Sequence, residues 1–212
     1  MEIKFFQVNP VYENTYVLHD DSRRAIVIDC GCLSSTENEC FQQYIAAKNL
    51  TIERVLNTHL HFDHAMGNHM LAQTYGILPE AHKNDEFLGD HIVDLSAYFG
   101  IFEGVQPQPL GGYLNDGDII SVGKMELHVL HTPGHSPGSV CFYEPNEKVL
   151  FSGDTLFRSG MGRTDLQGGN YQALIDSITQ KLLPLPDETA VYCGHGLPTT
   201  IGLERENLKS LI

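Results

Sequence analysis

The sequence predicts an α/β fold in which two β-sheets pack face to face and helices cover their outer surfaces. The main observation is a pair of successive β-rich blocks, each of which ends in a helical segment. The composition, with 42% hydrophobic and 19% charged residues, is that of an ordinary globular protein. The sequence has no repeat at a fixed short period, which excludes a solenoid. A chain of 212 residues can bury a sizeable core, and we expect a single domain across residues 1–212.

The first β-rich block opens with short apolar segments separated by Asn, Asp and Ser turn signals. We predict its strands at residues 3–7, 15–18, 25–29 and 52–57. Ser34 or Ser35 can cap a helix that extends to about residue 49, because apolar residues follow at helical spacing. A second helix is predicted at residues 65–75. The block therefore has the composition of a sheet covered by helices on one side.

The second β-rich block follows a longer stretch, at about residues 84–102, that is rich in helix-forming residues. We predict the strands of this block at residues 125–131, 139–143, 149–152 and 190–192. A helix is predicted at residues 171–182. Between the blocks, the segment 82–112 is rich in aromatic residues and ends in Pro and Gly. This segment is either the lid or wall of a substrate pocket or a core helix.

The formal net charge of −14 argues against several classes of partner. An acidic chain with no basic run repels phosphate backbones and anionic membrane surfaces, so we expect neither nucleic acid nor a membrane as a partner. The N-terminal residues lack a basic stretch followed by an apolar run, so no targeting peptide is expected. The five cysteines lack paired Cys-x-x-Cys spacing. Free thiols are typical of a reducing compartment, and we predict a cytoplasmic location.

Four side chains that can bind metal fall within six residues where the predicted strand 52–57 meets the predicted helix. They are His59, His61, Asp63 and His64. On a loop that leaves a strand, His59 and His61 can converge on one cation, while the adjacent pair Asp63 and His64 points toward a second. Imidazole and carboxylate are ligands that zinc and iron accept, and the absence of cysteine in this segment argues against a closed structural zinc site.

Three further segments each place one potential ligand in a turn beyond a strand, directly after a glycine. The ligands are His135, Asp154 and His195, and they follow Gly134, Gly153 and Gly194. Glycine lets the backbone turn sharply and approach a metal closely. Three repeats of strand, glycine and ligand therefore predict that these side chains complete a seven-ligand site.

Together these motifs resemble the metallo-β-lactamase superfamily over nearly the whole chain. The resemblance implies a four-layer αβ/βα sandwich of two mixed β-sheets flanked by helices. It also implies that His59, His61 and His135 bind one metal and that Asp63, His64 and His195 bind the other, with Asp154 bridging the two. The early segment that ends in Asp29 matches the acidic strand-end motif of the family. Asp29 would then either support the metal loop from behind the ligands or only cap a turn.

Two divalent ions can share a hydroxide that acts as a nucleophile at neutral pH. We expect zinc, with iron or manganese as the alternatives, and Asp63 and Asp154 as catalytic residues, with Asp63 orienting the nucleophile. The segment from Gly153 to Arg163 resembles the glyoxalase II group, which hydrolyses S-acylglutathione thioesters. Arg163 and Arg158 are the cationic candidates for binding a carboxylate of a small acyl-thioester substrate. The C-terminal motif resembles small single-domain proteins of the glyoxalase II type.

Two alternatives remain open from the sequence. The segment from Gly162 to Asp165 also resembles the persulfide dioxygenases of the same superfamily. These bind one iron through residues that match His59, His135 and Asp154. Asp165 also stands where longer glyoxalase II enzymes have an aromatic residue. The alternative of another class is a non-catalytic binding protein in which the metal is structural. Seven ligands for two cations leave open coordination positions, which favours catalysis.

Overall fold

The computed structural model describes residues 1–210. The first sheet is mixed and has six strands, namely β1 (Glu2–Val8), β2 (Glu13–His19), β3 (Arg24–Ile28), β4 (Thr51–Leu56), β5 (Pro79–Ala81) and β6 (Gly112–Tyr113). The strands lie in sequence order across this sheet. The first three are antiparallel, and β3 to β6 pair in parallel. Parallel strands place their carboxyl ends at one edge, and the loop that carries His59 starts there.

The second half of the chain contributes the remaining strands. They are β7 (Ile119–Val122), β8 (Met125–His131), β9 (Val140–Glu144), β10 (Val149–Gly153), β11 (Leu156–Phe157), β12 (Gly160–Met161), β13 (Ala190–Cys193) and β14 (Thr199–Thr200). Six of them form the second sheet in the order β14-β13-β10-β9-β8-β7, and β11 pairs with β12 as a separate two-stranded hairpin. In the second sheet, β10 and β13 are parallel and the other pairs are antiparallel.

The helices are α1 (Ser35–Ala47), α2 (Phe62–Ala65), α3 (Asn68–Tyr75), α4 (Glu86–Asp90), α5 (Ile92–Tyr98), α6 (Tyr171–Ser177) and α7 (Ile201–Asn207). Of the two predicted caps for α1, Ser34 is the N-cap, and it forms a capping box with Glu37. The predicted helix 171–182 is confirmed in extent, but its second half, Ile178–Leu182, is π-helical. No helix of residues 1–210 combines the length and apolar character needed to cross a bilayer.

Three clusters of buried side chains account for the layered packing. The central cluster joins the two sheets and includes Leu18, Ile26, Leu56, Leu127, Val129, Phe142 and Phe151. A second cluster packs α1 and α3 against the first sheet, and a third packs α6 and α7 against the second sheet. The predicted four-layer arrangement, in which two mixed sheets are flanked by helices, is therefore confirmed.

Two features of the local structure differ from the predictions. The segment predicted as one helix at residues 65–75 contains the last residue of α2 and all of α3. The helix is interrupted at Gly67, whose N–H donates to the carbonyl of Cys30 at 2.8 Å. A Cβ at Gly67 would lie 2.3 Å from the sulfur of Cys30, so this close approach requires glycine. Six strands were not predicted: β5, β6, β11, β12 and β14 have only two or three residues, and β7 has four, which are too few to show a clear alternating pattern.

Candidate metal centre

The segment that follows β4 carries the four ligands that are adjacent in sequence. His59 and His61 lie in the loop, whereas Asp63 and His64 lie in the first turn of α2. The helix thus begins at residue 62 and not, as predicted, at residue 65. All four side chains are buried, with exposed fractions of 8% or less.

The glycines that precede the other three ligands allow close contacts. Gly134 has a φ of +144°, and a Cβ there would lie 2.3 Å from the backbone of α6. Gly153 has a φ of +49°, and its Cβ would lie 2.3 Å from Oγ1 of Thr58. At Gly194 a Cβ would lie 2.3 Å from Oδ1 of Asp154. The repeated glycine therefore marks positions where a side chain would collide with the centre or its supports.

Backbone hydrogen bonds join the ligand-bearing turns. Because β10 and β13 are adjacent parallel strands, Asp154 and His195 leave the second sheet side by side, and the N–H of Gly194 donates to the carbonyl of Gly153 at 2.8 Å. The N–H of Val140 donates to the carbonyl of Thr58 at 2.8 Å. This last bond connects β9 of the second sheet to the histidine-bearing loop of the first.

All seven predicted ligands come together in one place. Two groups of three have ligand atoms within 4.8 Å of one another, namely His59, His61 and His135, and Asp63, His64 and His195. These are the two sets that the resemblance implied. A third group, Asp29, His59 and His64, overlaps with both. In that group the Asp29 carboxylate faces Nδ1 of His64 at 3.0 Å, on the opposite side of the imidazole from the other ligands.

The carboxylate of Asp154 lies between the two groups. Its Oδ1 is 3.4 Å from Nε2 of His64, and its Oδ2 is 3.5 Å from Nε2 of His135 and 3.7 Å from Nε2 of His195. Burial disfavours the charged form of Asp154, but the neighbouring histidines, His64 first among them, hold the pKa of this carboxyl well below its usual value. Asp154 is therefore an anion that can contact cations on either side.

The histidines differ in how their surroundings affect protonation. Burial lowers the pKa of His59 well below its usual value and that of His61 to about 3, and the neighbouring histidines add to both shifts. Burial acts the same way on His64, but Asp154, Asp63 and Asp29 together raise its pKa well above the usual value. Neutral imidazoles beside carboxylates are the form in which a site of this kind binds divalent cations.

Buried polar atoms that lack a hydrogen-bond partner show whether these residues suit a metal ion. Eight buried side-chain atoms of the described residues have no hydrogen-bond partner, and three of them belong to predicted ligands, namely Nε2 of His59, Nε2 of His64 and Oδ1 of Asp154. Unpaired buried polar atoms are costly, and a bound cation would give these three a partner. The donor set of imidazole and carboxylate suits zinc or iron, so the residues present fit divalent cations.

Hydrogen bonds hold the Nδ1 atoms of three histidines. Nε2 of His59 and Nε2 of His64 have no hydrogen-bond partner, whereas Nε2 of His135 lies 2.9 Å from Nδ1 of His61. Nδ1 of His64 donates to Asp29, and Nδ1 of His135 donates to the carbonyl of Arg163 at 2.7 Å. Thr58 donates its hydroxyl to Asp29 at 2.6 Å and therefore accepts from Nδ1 of His59 at 3.0 Å. These bonds fix the ring orientations, and the Asp29 carboxylate contacts His64 directly and His59 through Thr58.

Two buried acidic residues next to this centre were not predicted from the sequence. Glu13 in β2 is 0% exposed, and its Oε1 lies 3.9 Å from Nδ1 of His64. Burial raises the pKa of Glu13 well above its usual value. A glutamate at the start of a strand shows no sequence signal for this role.

The second such residue is Asp85, which directly precedes α4. In sequence it resembles a helix cap, yet its side chain makes no cap hydrogen bond. Its carboxylate accepts instead from the hydroxyl of Ser136 at 2.6 Å and from the N–H groups of Gly138 and Leu60. Burial raises the pKa of this carboxyl. Asp85 thus connects the loop of His59 and His61 to the loop of His135.

A cleft of ≈ 410 Å³ opens over the centre, a volume within the usual range for small-molecule sites. Its floor contains five of the predicted ligands, namely His61, Asp63, His135, Asp154 and His195. Both readings of the segment 82–112 are correct in part. Leu88 and Ile92 pack in a buried cluster with Leu60 and Phe62, while Leu95, Tyr98 and Phe99 line the cleft.

The two predicted substrate-binding arginines occupy different positions. Arg163 lines the cleft, and its guanidinium donates two hydrogen bonds of 2.7 Å to the carboxylate of Asp165. Arg158 is not among the described residues that line the cleft. His131, the other histidine near the His135 turn, stacks on His82 with ring centroids 4.1 Å apart and does not join the metal groups.

Comparison with known proteins gives consistent matches over almost the entire chain. Hydroxyacylglutathione hydrolase GloC of Haemophilus influenzae is 35% identical over 208 residues, which cover 98% of this chain and 96% of that protein. The structure of BLEG-1 B3 metallo-beta-lactamase superimposes with a TM-score of 0.88 and 36% identity, covering 97% of both chains. TTHA1623 in a di-iron-bound form superimposes with a TM-score of 0.85 and 34% identity, covering 96% of this chain and 98% of that one.

The family model of the metallo-beta-lactamase superfamily matches residues 8–195. This range begins at the last residue of β1 and includes all strands from β2 to β13, together with all seven predicted ligands. The resemblance inferred from the sequence is confirmed, and the chain belongs to the metallo-beta-lactamase superfamily of metal-dependent hydrolases.

Proposed function

We propose that this protein is a thioester hydrolase of the glyoxalase II type that binds two divalent metal ions, with zinc as the expected metal. The observation that carries the proposal is the arrangement of two three-ligand groups on either side of Asp154. The similarity to a hydroxyacylglutathione hydrolase supports an acyl thioester as the small-molecule substrate. The similarity to a di-iron protein makes iron the main alternative to zinc.

In this proposal His59, His61 and His135 bind one ion, and Asp63, His64 and His195 bind the other, with Asp154 shared by both. When bound, the two cations supply an activated water and polarise the thioester carbonyl. The reaction adds water to the acyl carbon, so that a C–O bond forms, the C–S bond breaks, and a carboxylic acid and a thiol leave.

The protein's own residues would orient water and transfer its proton. Asp63 is buried at the cleft floor, where its Oδ2 lies 3.1 Å from Nε2 of His195. Burial opposes its ionised form, but His64 and His195 hold the pKa of Asp63 below the usual value. Asp63 is therefore an ionised acceptor that can orient the water, take its proton and pass it to the departing sulfur. Arg163 and Arg158 remain the proposed contacts for a substrate carboxylate.

The first test is metal analysis together with a thiol-release assay on S-lactoylglutathione. We expect about two zinc or iron ions per chain and metal-dependent hydrolysis. The variant Asp154→Ala should lose most of both metals and nearly all activity, because it removes the shared ligand. Asp176→Ala is the matched control, since Asp176 is an exposed aspartate of α6 that does not line the cleft over the centre. Full metal content in Asp154→Ala would contradict the shared-ligand assignment.

The same measurement separates this proposal from the persulfide dioxygenase alternative. One iron per chain, with oxygen uptake on glutathione persulfide and no thioester hydrolysis, would replace the hydrolase assignment. The presence of His61, Asp63 and His195 in the centre favours two metals, since a one-iron site would use only His59, His135 and Asp154. The predicted cytoplasmic location stays a prediction.

A further inference from the structure

The cleft over the metal centre has two chemically different sides. Its floor is polar and contains the predicted ligands, as described above. One wall is apolar and is formed by Phe62, Leu88, Leu95, Tyr98 and Phe99. We call these five residues the apolar wall. A substrate whose reacting carbonyl lies at the floor must place one of its two substituents near this wall.

The apolar wall is partly exposed but rests on a buried base. Tyr98 and Phe99 are 85% and 43% exposed, whereas Leu88 behind them is 1% exposed. The ring of Phe99 packs on Phe62 with centroids 4.9 Å apart, and Tyr98 contacts Phe99 edge to face at 5.4 Å. The exposed surfaces of Tyr98 and Phe99 are fixed at the cleft by these contacts and are available to a ligand. Covering them with an apolar group is favourable.

The charged side chains that line the cleft also favour an uncharged substrate group at the apolar wall. Among the described residues that line it, Arg163 is the one lysine or arginine. Both hydrogen bonds recorded for its side chain go to the carboxylate of Asp165. The apolar wall itself contains no lysine or arginine, so an uncharged substituent suits the wall better than an anionic one, and Arg163 stays the proposed contact for a carboxylate elsewhere on the substrate.

We propose that the apolar wall binds the acyl group of the substrate, so that preferred thioesters carry an apolar acyl chain of several carbons and not the short hydroxylated lactoyl group. The inference rests on the proposed thioesterase function. The acyl side is chosen because a peptide thiol such as glutathione carries charged groups, which lose hydration against aromatic and leucine side chains. The thiol would then extend toward solvent.

The activity test uses metal-loaded protein and S-acylglutathione thioesters with acetyl, butyryl, hexanoyl and octanoyl groups, together with S-lactoylglutathione. We expect kcat/KM to rise by up to about four-fold for each methylene that the wall covers. In Leu95→Ala and Phe99→Ala the ratio of octanoyl to acetyl kcat/KM should fall at least five-fold. Val93→Ala is the matched control, since Val93 is an exposed apolar residue of α5 outside the cleft lining, and its ratio should equal that of the wild type.

A binding test does not depend on turnover. S-octylglutathione and S-methylglutathione are thioethers that cannot be hydrolysed, and calorimetry measures their affinity for the protein with and without metal. We expect the octyl compound to bind at least ten-fold more tightly, and Phe99→Ala to remove most of this difference.

The outcomes distinguish the inference from the function on which it rests. Hydrolysis with equal kcat/KM along the acyl series, or with an unchanged octanoyl preference in both wall variants, overturns the acyl assignment and leaves the thioesterase. A stronger dependence on chain length when the thiol is varied, tested with acetyl thioesters of alkanethiols, also overturns it. Absence of hydrolysis of every thioester overturns the proposed function, while tight binding of the octyl compound through Phe99 would still support an apolar ligand site.

Discussion

Asp85 shows how one buried side chain can hold two ligand-bearing loops in place. Its carboxylate accepts from Leu60, between His59 and His61, and from Ser136 and Gly138, which follow His135. A carboxylate that accepts several hydrogen bonds in a buried position contributes more than a neutral group would. We therefore regard Asp85 as a positioning residue for the metal centre.

We expect Asp85→Ala to lower the free energy of unfolding by on the order of 3 kcal/mol, because buried N–H groups of Leu60 and Gly138 lose their acceptor. Urea unfolding of the metal-loaded protein measures this change. Asp94→Ala is the control, since the Asp94 side chain is 88% exposed and its loss should change stability by less than about 0.5 kcal/mol. If the two variants were equally stable, the connecting role of Asp85 would be wrong.

At the scale of elements, the turns that end β10 and β13 position ligands because glycine leaves room for them. The N–H of Asn14 in β2 donates to the carbonyl of Gly194 at 2.8 Å, so this turn is also tied to the first sheet. Short, tied turns of this kind place a ligand more exactly than a free loop does.

The variant Gly194→Ala should disturb the centre without altering any ligand. Its Cβ would lie 2.3 Å from Oδ1 of Asp154 and 2.6 Å from Cε1 of His64, so both side chains must shift. We expect metal content and kcat to fall by at least ten-fold, as measured by elemental analysis and thiol release. Gly160→Ala, in the β11–β12 hairpin, meets nothing within 4 Å and should retain both. Equal metal content in the two variants would refute the steric argument.

At the scale of the whole molecule, the candidate metal centre joins the two sheets. Four predicted ligands follow β4 of the first sheet, and the other three follow strands of the second. Cations bound between them would stabilise the folded chain, because the unfolded chain cannot bring the ligands together.

Metal removal should therefore lower thermal stability. Zinc at 100 times its Kd would add about 2.7 kcal/mol, which for a chain of this size corresponds to a rise in Tm of roughly 5–10 °C. Differential scanning calorimetry of the protein in zinc and in EDTA measures the difference. The Asp154→Ala variant should show a much smaller shift. Identical Tm values for the wild type in zinc and EDTA would argue against metal ions that link the sheets.

The sequence by itself determined the layered fold and predicted the seven side chains that lie together in the candidate metal centre. The patterns that led to these predictions are local, so they can be recognised in the sequence alone. They are the strand periodicity, the glycine before each of His135, Asp154 and His195, and the spacing from His59 to His64. Local patterns also predicted the long strands and α1, because periodicity needs several residues to appear.

Only the tertiary structure decided which residues support the ligands and which form the cleft. Asp85 and Ser136 are 51 residues apart, and Asp29 and His64 are 35 apart, so no local pattern joins them. The apolar wall depends on which residues of the segment 82–112 turn toward the core and which toward the cleft. That choice is made by packing against Leu60 and Phe62, a contact between distant parts of the chain that periodicity does not encode.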